Sequence, residues 1–164
     1  MTSNKNELQK FYLNGTLSTF DEETVNRIGR ELYTEISLET RTLNDILSRH
    51  DIHDIHFLKI DAEKHEQYVL EGFDLKKYLP WILCIEATLP KTRIECHNEW
   101  EQYVLESGYT FVTKFSANRY YLANKYKKEL MENFIAKPCV YFMRRPFINY
   151  LKKVFLWQNI PFFK

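Results

Sequence analysis

With 164 residues, 45% hydrophobic and 27% charged, the chain has the make-up of one globular domain with its own core, which argues against a disordered or fibrous protein. Its 23 basic and 22 acidic residues leave a formal charge of +1, so no broad positive surface is available for nucleic acid. Cys84, Cys96 and Cys139 show no C-x-x-C spacing, which speaks against a disulfide framework or a zinc site and for reduced thiols in a cytoplasmic protein.

Residues 1–15 are polar and read as a disordered N-terminus. Residues 21–33 predict a helix, with Asp21, Glu22 and Glu23 in the first turn where the helix dipole favours acids. Thr34–Thr40 alternates Ile36 and Leu38 with polar neighbours, the pattern of a half-exposed strand. Thr42 then caps a helix through residue 49 that buries Leu43, Ile46 and Leu47, with Asp45 at the capping-box position.

The next stretch is the most informative. An apolar run over residues 55–60 predicts a strand, and it ends in Asp61 and Glu63; residues 64–72 then read as a helix closed by Gly72. In open α/β sheets ligands bind at the carboxyl ends of the strands, so Asp61 and Glu63 are the first candidates for chemistry. The competing reading makes both acids first-turn helix residues that serve the dipole. His65, on the same predicted helix, reads as a surface residue. His50, His53 and His56 straddle a helix end, a turn and a strand, so with Asp51 and Asp54 they read as a polar loop; no metal site is assigned.

Trp81–Ala87 (WILCIEA) follows Pro80 as a continuous apolar run, the mark of a strand buried on both faces, with Glu86 near its carboxyl end. Residues 98–107 predict an amphipathic helix ended by Gly108, and Tyr109–Phe115 and Arg119–Ala123 an antiparallel pair. Alternating helices and strands closing on such a pair predict an α/β sheet with right-handed crossovers. Gly15, Gly29, Gly72 and Gly108 form no G-x-G or P-loop spacing, so no phosphate-cradling loop is encoded.

Beyond Glu132 there is no acid, whereas Lys137, Arg144, Arg145, Lys152, Lys153 and Lys164 alternate with aromatic residues. Three readings stand for this tail, residues 131–164: a helix lying in a membrane interface, a helix docked in a partner's groove, or a helix packed on the domain's own sheet.

The run TLNDIL…FLKIDAEKHEQYVLEG resembles the TLDDLL…FLKIDVEGxExxVLxG signature of FkbM-type methyltransferases. Leu17–Asp21, Pro80-Trp81, Ile85–Pro90, Glu99-Trp100, Gly108–Val112 and Asn118–Tyr121 resemble further family segments in the same order, across residues 16–130. The resemblance implies methyl transfer from S-adenosylmethionine to a hydroxyl of a small-molecule or glycan acceptor, on a seven-stranded Rossmann-like sheet. It makes residues 55–63 the fourth strand of that sheet, so the chain corresponds to the C-terminal part of the domain. It implies Asp61 and Glu63 as catalytic, Asp61 as cofactor-binding, and Glu86, His97, Asn118 and Arg119 as substrate-side residues. With three strands missing, strand 55–60 becomes an edge; this implies a homodimer, a separate N-terminal half, or a non-catalytic remnant that acts by binding. Two positions depart from the pattern: Lys64 replaces the glycine after the motif glutamate, and Ser116-Ala117 replaces an acid and glycine of the last turn.

Overall fold

The computed structural model describes residues 1–135. They fall into two compact units, Met1–Tyr126 and one that starts at Lys127.

The first unit opens with β1 (Leu8–Leu13), which pairs antiparallel with β2 (Thr34–Glu39), Leu8 opposite Glu39 and Leu13 opposite Thr34. The N-terminus is therefore ordered, against its polar composition. Tertiary ties explain this: the Ser3 amide donates to the Arg41 carbonyl at 3.1 Å, and Thr40 N donates to the Glu7 carbonyl at 2.8 Å. The segment also crosses directly over Gly72, where a Cβ would lie 2.2 Å from the Ser3 carbonyl oxygen. Gly72 thus does more than end a helix: it makes room for the chain's first residues.

Between β1 and β2 lies α1 (Glu22–Ile28), capped by Asp21 Oδ2, which accepts from Thr24 N at 2.7 Å. The predicted helix over 21–33 breaks at Gly29 (φ 131°), after which Arg30–Leu32 make a single 3-10 turn. Helix α2 (Leu43–Arg49) starts as predicted, with Thr42 Oγ1 accepting from Asp45 N at 3.1 Å. Asp45 does not close the capping box; its carboxylate pairs with Arg41 at 3.2 Å and Arg49 at 2.9 Å.

The second sheet has four strands in the order β3-β4-β6-β5: β3 (Phe57–Ile60), β4 (Ile82–Glu86), β5 (Tyr109–Phe115) and β6 (Asn118–Ala123). β3 and β4 are parallel, while β4–β6 and β6–β5 are antiparallel. The α/β expectation holds with a mixed four-strand sheet and a separate antiparallel pair, and β2 belongs to the pair rather than to the main sheet. Helix α3 (Glu66–Glu71) and the short α4 (Leu75–Tyr78), which the hydrophobic pattern did not separate, link β3 to β4; α5 (Glu101–Glu106) precedes β5. One core joins Leu47, Ile60, Leu70, Phe73, Leu83, Ile85, Trp100, Val104 and Tyr121. Burying this many apolar side chains, at about 1.5–3 kcal/mol each, dominates the stability of the unit. Ile82 and Cys84, like Leu83 and Ile85, are buried, so β4 is covered on both faces as its unbroken apolar run requires.

The second unit contributes α6 (Lys127–Ile135) to the described residues. The tail readings for residues 136–164 lie outside the described residues. Among the described residues no helix is long and apolar enough to cross a membrane.

Candidate functional site

Parallel strands deliver their carboxyl ends to the same side of a sheet, and here β3 delivers Asp61 beside Glu86 at the end of β4. On a continuing extended chain Asp61 and Glu63 could not both face that point. The chain instead turns: Glu63 has φ 50° and Lys64 φ 78°, both left-handed. This turn swings Glu63 back, and one carboxylate oxygen each from Asp61, Glu63 and Glu86 lies within 4.8 Å of the others. The Thr19 hydroxyl pins the turn by donating to the Glu63 carbonyl at 2.6 Å. The glycine that the family pattern has at position 64 is explained by this backbone; Lys64 accepts the same φ and ion-pairs with Glu99.

Neither Asp61 nor Glu63 lies in a helical first turn, because α3 begins only at Glu66. The helix-dipole reading of the pair is thereby removed.

Crowded carboxylates cannot all hold charge, and burial raises the cost further. The Glu86 carboxyl is pushed up to about 8, first by burial and then by the charges of Asp61, Glu63 and Glu66. Glu63 is also raised, by burial and by Asp61. Asp61 is paired with the Lys59 ammonium at 2.5 Å, and that pairing raises Lys59. Glu86 Oε2 is buried without a hydrogen-bond partner. Across the β4–β6 register Glu86 faces Asn118, whose Oδ1 is likewise buried and unpartnered. Directly opposed residues of an antiparallel pair share one face, so two unsatisfied polar atoms stand side by side at the sheet end. Such atoms in a folded protein call for a partner, which water, an ion or a ligand can supply.

Glu66 is a member of this group that the sequence reading passed over. It is 2% exposed, its Oε1 accepts from Ala62 N at 2.8 Å, and burial pushes it up to about 7. The signal was present: Glu66 precedes Val69 and Leu70 by three and four residues, which puts it on the buried face of α3.

The other substrate-side candidates, His97 and Arg119, gather at a second place. Arg119 Nη2 bonds Glu101 Oε1 at 2.7 Å, Tyr121 OH donates to the same oxygen at 2.8 Å, and the guanidinium lies 4.1 Å over the Phe111 ring. The His97 ring sits between Glu95 at 3.0 Å and Glu101 at 3.5 Å. Asn118 and Arg119 are adjacent on β6, so their side chains leave on opposite faces, and the structure brings Asn118 but not Arg119 to the carboxylates.

His65 corrects an expectation. It is 6% exposed rather than on the surface, and burial lowers its imidazole to about 4 against the pull of Asp21 and Glu71. His53 pairs with Asp51 at 2.8 Å and His56 packs on Trp81 at 4.5 Å, each within its own loop surroundings. Cys84 and Cys96 are free and buried.

The α/β unit has polar groups clustered at the carboxyl ends of its parallel strands, the edge where open α/β sheets place their ligand sites. The family model for the methyltransferase FkbM domain matches residues 2–111, and the chain belongs to that family. No curated protein and no solved structure matches it. Membership gives the chain a methyltransferase-like character, and the family uses S-adenosylmethionine in general.

Proposed function

We propose that the chain forms the acceptor side of a methyltransferase site, where a hydroxyl of a sugar or natural-product acceptor is methylated and its proton passes to the carboxylates at the ends of β3 and β4. The observation that carries this reading is the convergence of Asp61, Glu63 and Glu86 within 4.8 Å, with one Glu86 oxygen buried and unpartnered. Burial and the neighbouring acids push the Glu86 carboxyl up to about 8, which raises its proton affinity, so the ionised form that accepts a proton grows as pH rises toward 8. Glu86 takes up the hydroxyl proton as the oxygen–methyl bond forms, Asn118 orients the acceptor, and the ion pair with Lys59 fixes the Asp61 carboxylate at the end of β3.

S-adenosylmethionine, when bound, supplies the methyl group. The residues present fit it in part. Acids at the strand ends suit its sulfonium charge, but none of the four glycines forms a loop of the kind that holds a nucleoside. The remainder of the cofactor's support therefore falls to chain pairing with β3, which has one strand neighbour, β4, among the described residues. In this reading β3 and β4 are inner strands of a larger, seven-stranded sheet, and the edge of β3 receives a further parallel strand from a second copy or a separate N-terminal half.

Calorimetry with S-adenosylmethionine, followed by transfer of labelled methyl to a panel of mono- and disaccharides, tests the proposal. Binding that is kept in Glu86→Gln, with transfer that falls at least about 100-fold, the size of a lost general base, supports it. Transfer unchanged in Glu86→Gln contradicts the assignment of the proton acceptor, and a folded chain that neither binds nor transfers, alone or mixed with an N-terminal half, contradicts the function.

A further inference from the structure

Away from the carboxylates, a cavity of about 320 Å³ opens between the first residues of the chain, the start of α1 and the start of α3. It is large enough for a small molecule. Two features give it chemistry.

The first is a column of four aromatic rings. Phe11 packs on Phe20 with centroids 4.8 Å apart, Phe20 on His65 at 4.5 Å, and His65 on Tyr68 at 4.6 Å. Phe11 and His65 are 5% and 6% exposed, so the column starts in the interior, whereas Tyr68 is 45% exposed and ends it at the cavity. The Ser3 hydroxyl hydrogen-bonds His65 Nε2 at 3.1 Å and holds the ring in line. The low titration point of His65 keeps that ring neutral at physiological pH, so it adds an aromatic wall without a positive charge.

The second feature is an excess of negative charge. Five ionic side chains line the cavity besides His65: Lys5, Lys10, Glu7, Asp21 and Glu22. Lys10 is neutralised by Glu35 at 2.9 Å and Glu22 by Arg30 at 2.6 Å. Asp21 spends one oxygen on Thr24 N and Glu7 one on the Gln9 amide, neither of which is a cation. Among the described residues lining the cavity, two carboxylates therefore face one ammonium without an ion pair, that of Lys5; Lys64, which feels the charge of Asp21, is paired with Glu99.

We propose that this cavity binds a flat aromatic amine, its ring continuing the column on the outer face of Tyr68 and its ammonium facing Asp21 and Glu7. An aromatic face flanked by carboxylates is the arrangement that selects organic cations, and Lys5 is placed to accept a carboxylate on the same ligand, as in an aromatic amino acid. The cavity shares a short stretch with the carboxylate cluster, since Thr19, which fixes the Glu63 carbonyl, directly precedes Phe20.

Titration of the full chain with tyramine, tyrosine and 4-hydroxyphenylacetate, followed by the ring resonances of His65 and Tyr68, tests this. Tyramine and tyrosine are expected to saturate with dissociation constants of about 1 mM or tighter, with 4-hydroxyphenylacetate at least about tenfold weaker. Tyr68→Ala, at a half-exposed site, and Glu7→Gln, on the surface, are each expected to weaken tyramine at least about fivefold while the rest of the spectrum stays in place. Absence of saturable shifts up to about 20 mM, equal affinity for the acid, or tyramine binding unchanged in both variants would overturn the proposal.

Discussion

Two polar groupings sit at opposite faces of the same strand, β6, and their difference separates chemistry from architecture. Around Arg119 the charges meet their complements: Glu101 accepts from the guanidinium at 2.7 Å and from Tyr121 at 2.8 Å, and Phe111 covers the cation. His97 Nδ1, buried there without a hydrogen bond, lies 3.0 Å from Glu95. Around Glu86 the like charges of Asp61, Glu63 and Glu66 crowd together, and two buried oxygens, Glu86 Oε2 and Asn118 Oδ1, have no partner. A satisfied network gives stability and fixes geometry; an unsatisfied one costs stability and persists where a ligand completes it. Family resemblance ranks Arg119 and Glu86 together, and the contacts around them do not.

The comparison breaks first at Arg119. Replacing it with Met takes the guanidinium donors from Glu101 Oε1, which keeps only the Tyr121 hydroxyl, and takes the Nε donor from Tyr121, so the unfolding free energy is expected to fall by about 2 kcal/mol in urea titrations. That is less than for a fully buried pair, because the side chains are 13% and 19% exposed.

His65 tests burial separately from satisfaction, since it is buried but bonded to Ser3. Its folded value of about 4 lies below the ordinary 6.5, so its contribution is complete above pH 6.5 and lost as pH falls toward 4. In His65→Phe the decline in stability over that window, followed by urea titration at a series of pH values, is expected to flatten.

Glu86 carries the opposite sign. Its folded value of about 8 lies above the ordinary 4.5, so the fold favours the protonated form; its contribution to stability is complete below pH 4.5 and is lost as pH rises through 8. Glu86→Gln is expected to remove most of that decline and to match the wild type near pH 5. A variant less stable than wild type at pH 8 would place Glu86 with the satisfied groups.

The smallest effect is at Lys64. Lys64→Gly relieves a left-handed φ of 78° but loses the pair with Glu99, and the two changes offset to within about 1 kcal/mol in thermal unfolding. A larger gain would mean that the turn, and not the carboxylates, holds the strain of this site.

Much of this was legible in the residues. The strand–acid–helix stretch, the buried run at β4 and the terminal hairpin follow from local periodicity, and local periodicity is what a sequence carries most openly. β1 was hidden because its order comes from pairing with β2, on the far side of α1 in the chain, and the residues before it are ordered by Arg41 and Gly72. The meeting of Asp61 with Glu63 was hidden for a related reason: it depends on two left-handed non-glycine residues, which residue identities at 63 and 64 do not announce. Burial of His65 likewise follows from rings contributed by β1 and by the start of α1.

The most direct test is a carbon-detected pH titration of the glutamate carboxyl groups in the intact chain. Glu86 is expected to titrate near 8 and to move down in Asp61→Asn and in Glu63→Gln as each like charge is removed. A Glu86 midpoint near 4.5, unmoved by either substitution, would contradict a shared-proton cluster at the ends of β3 and β4.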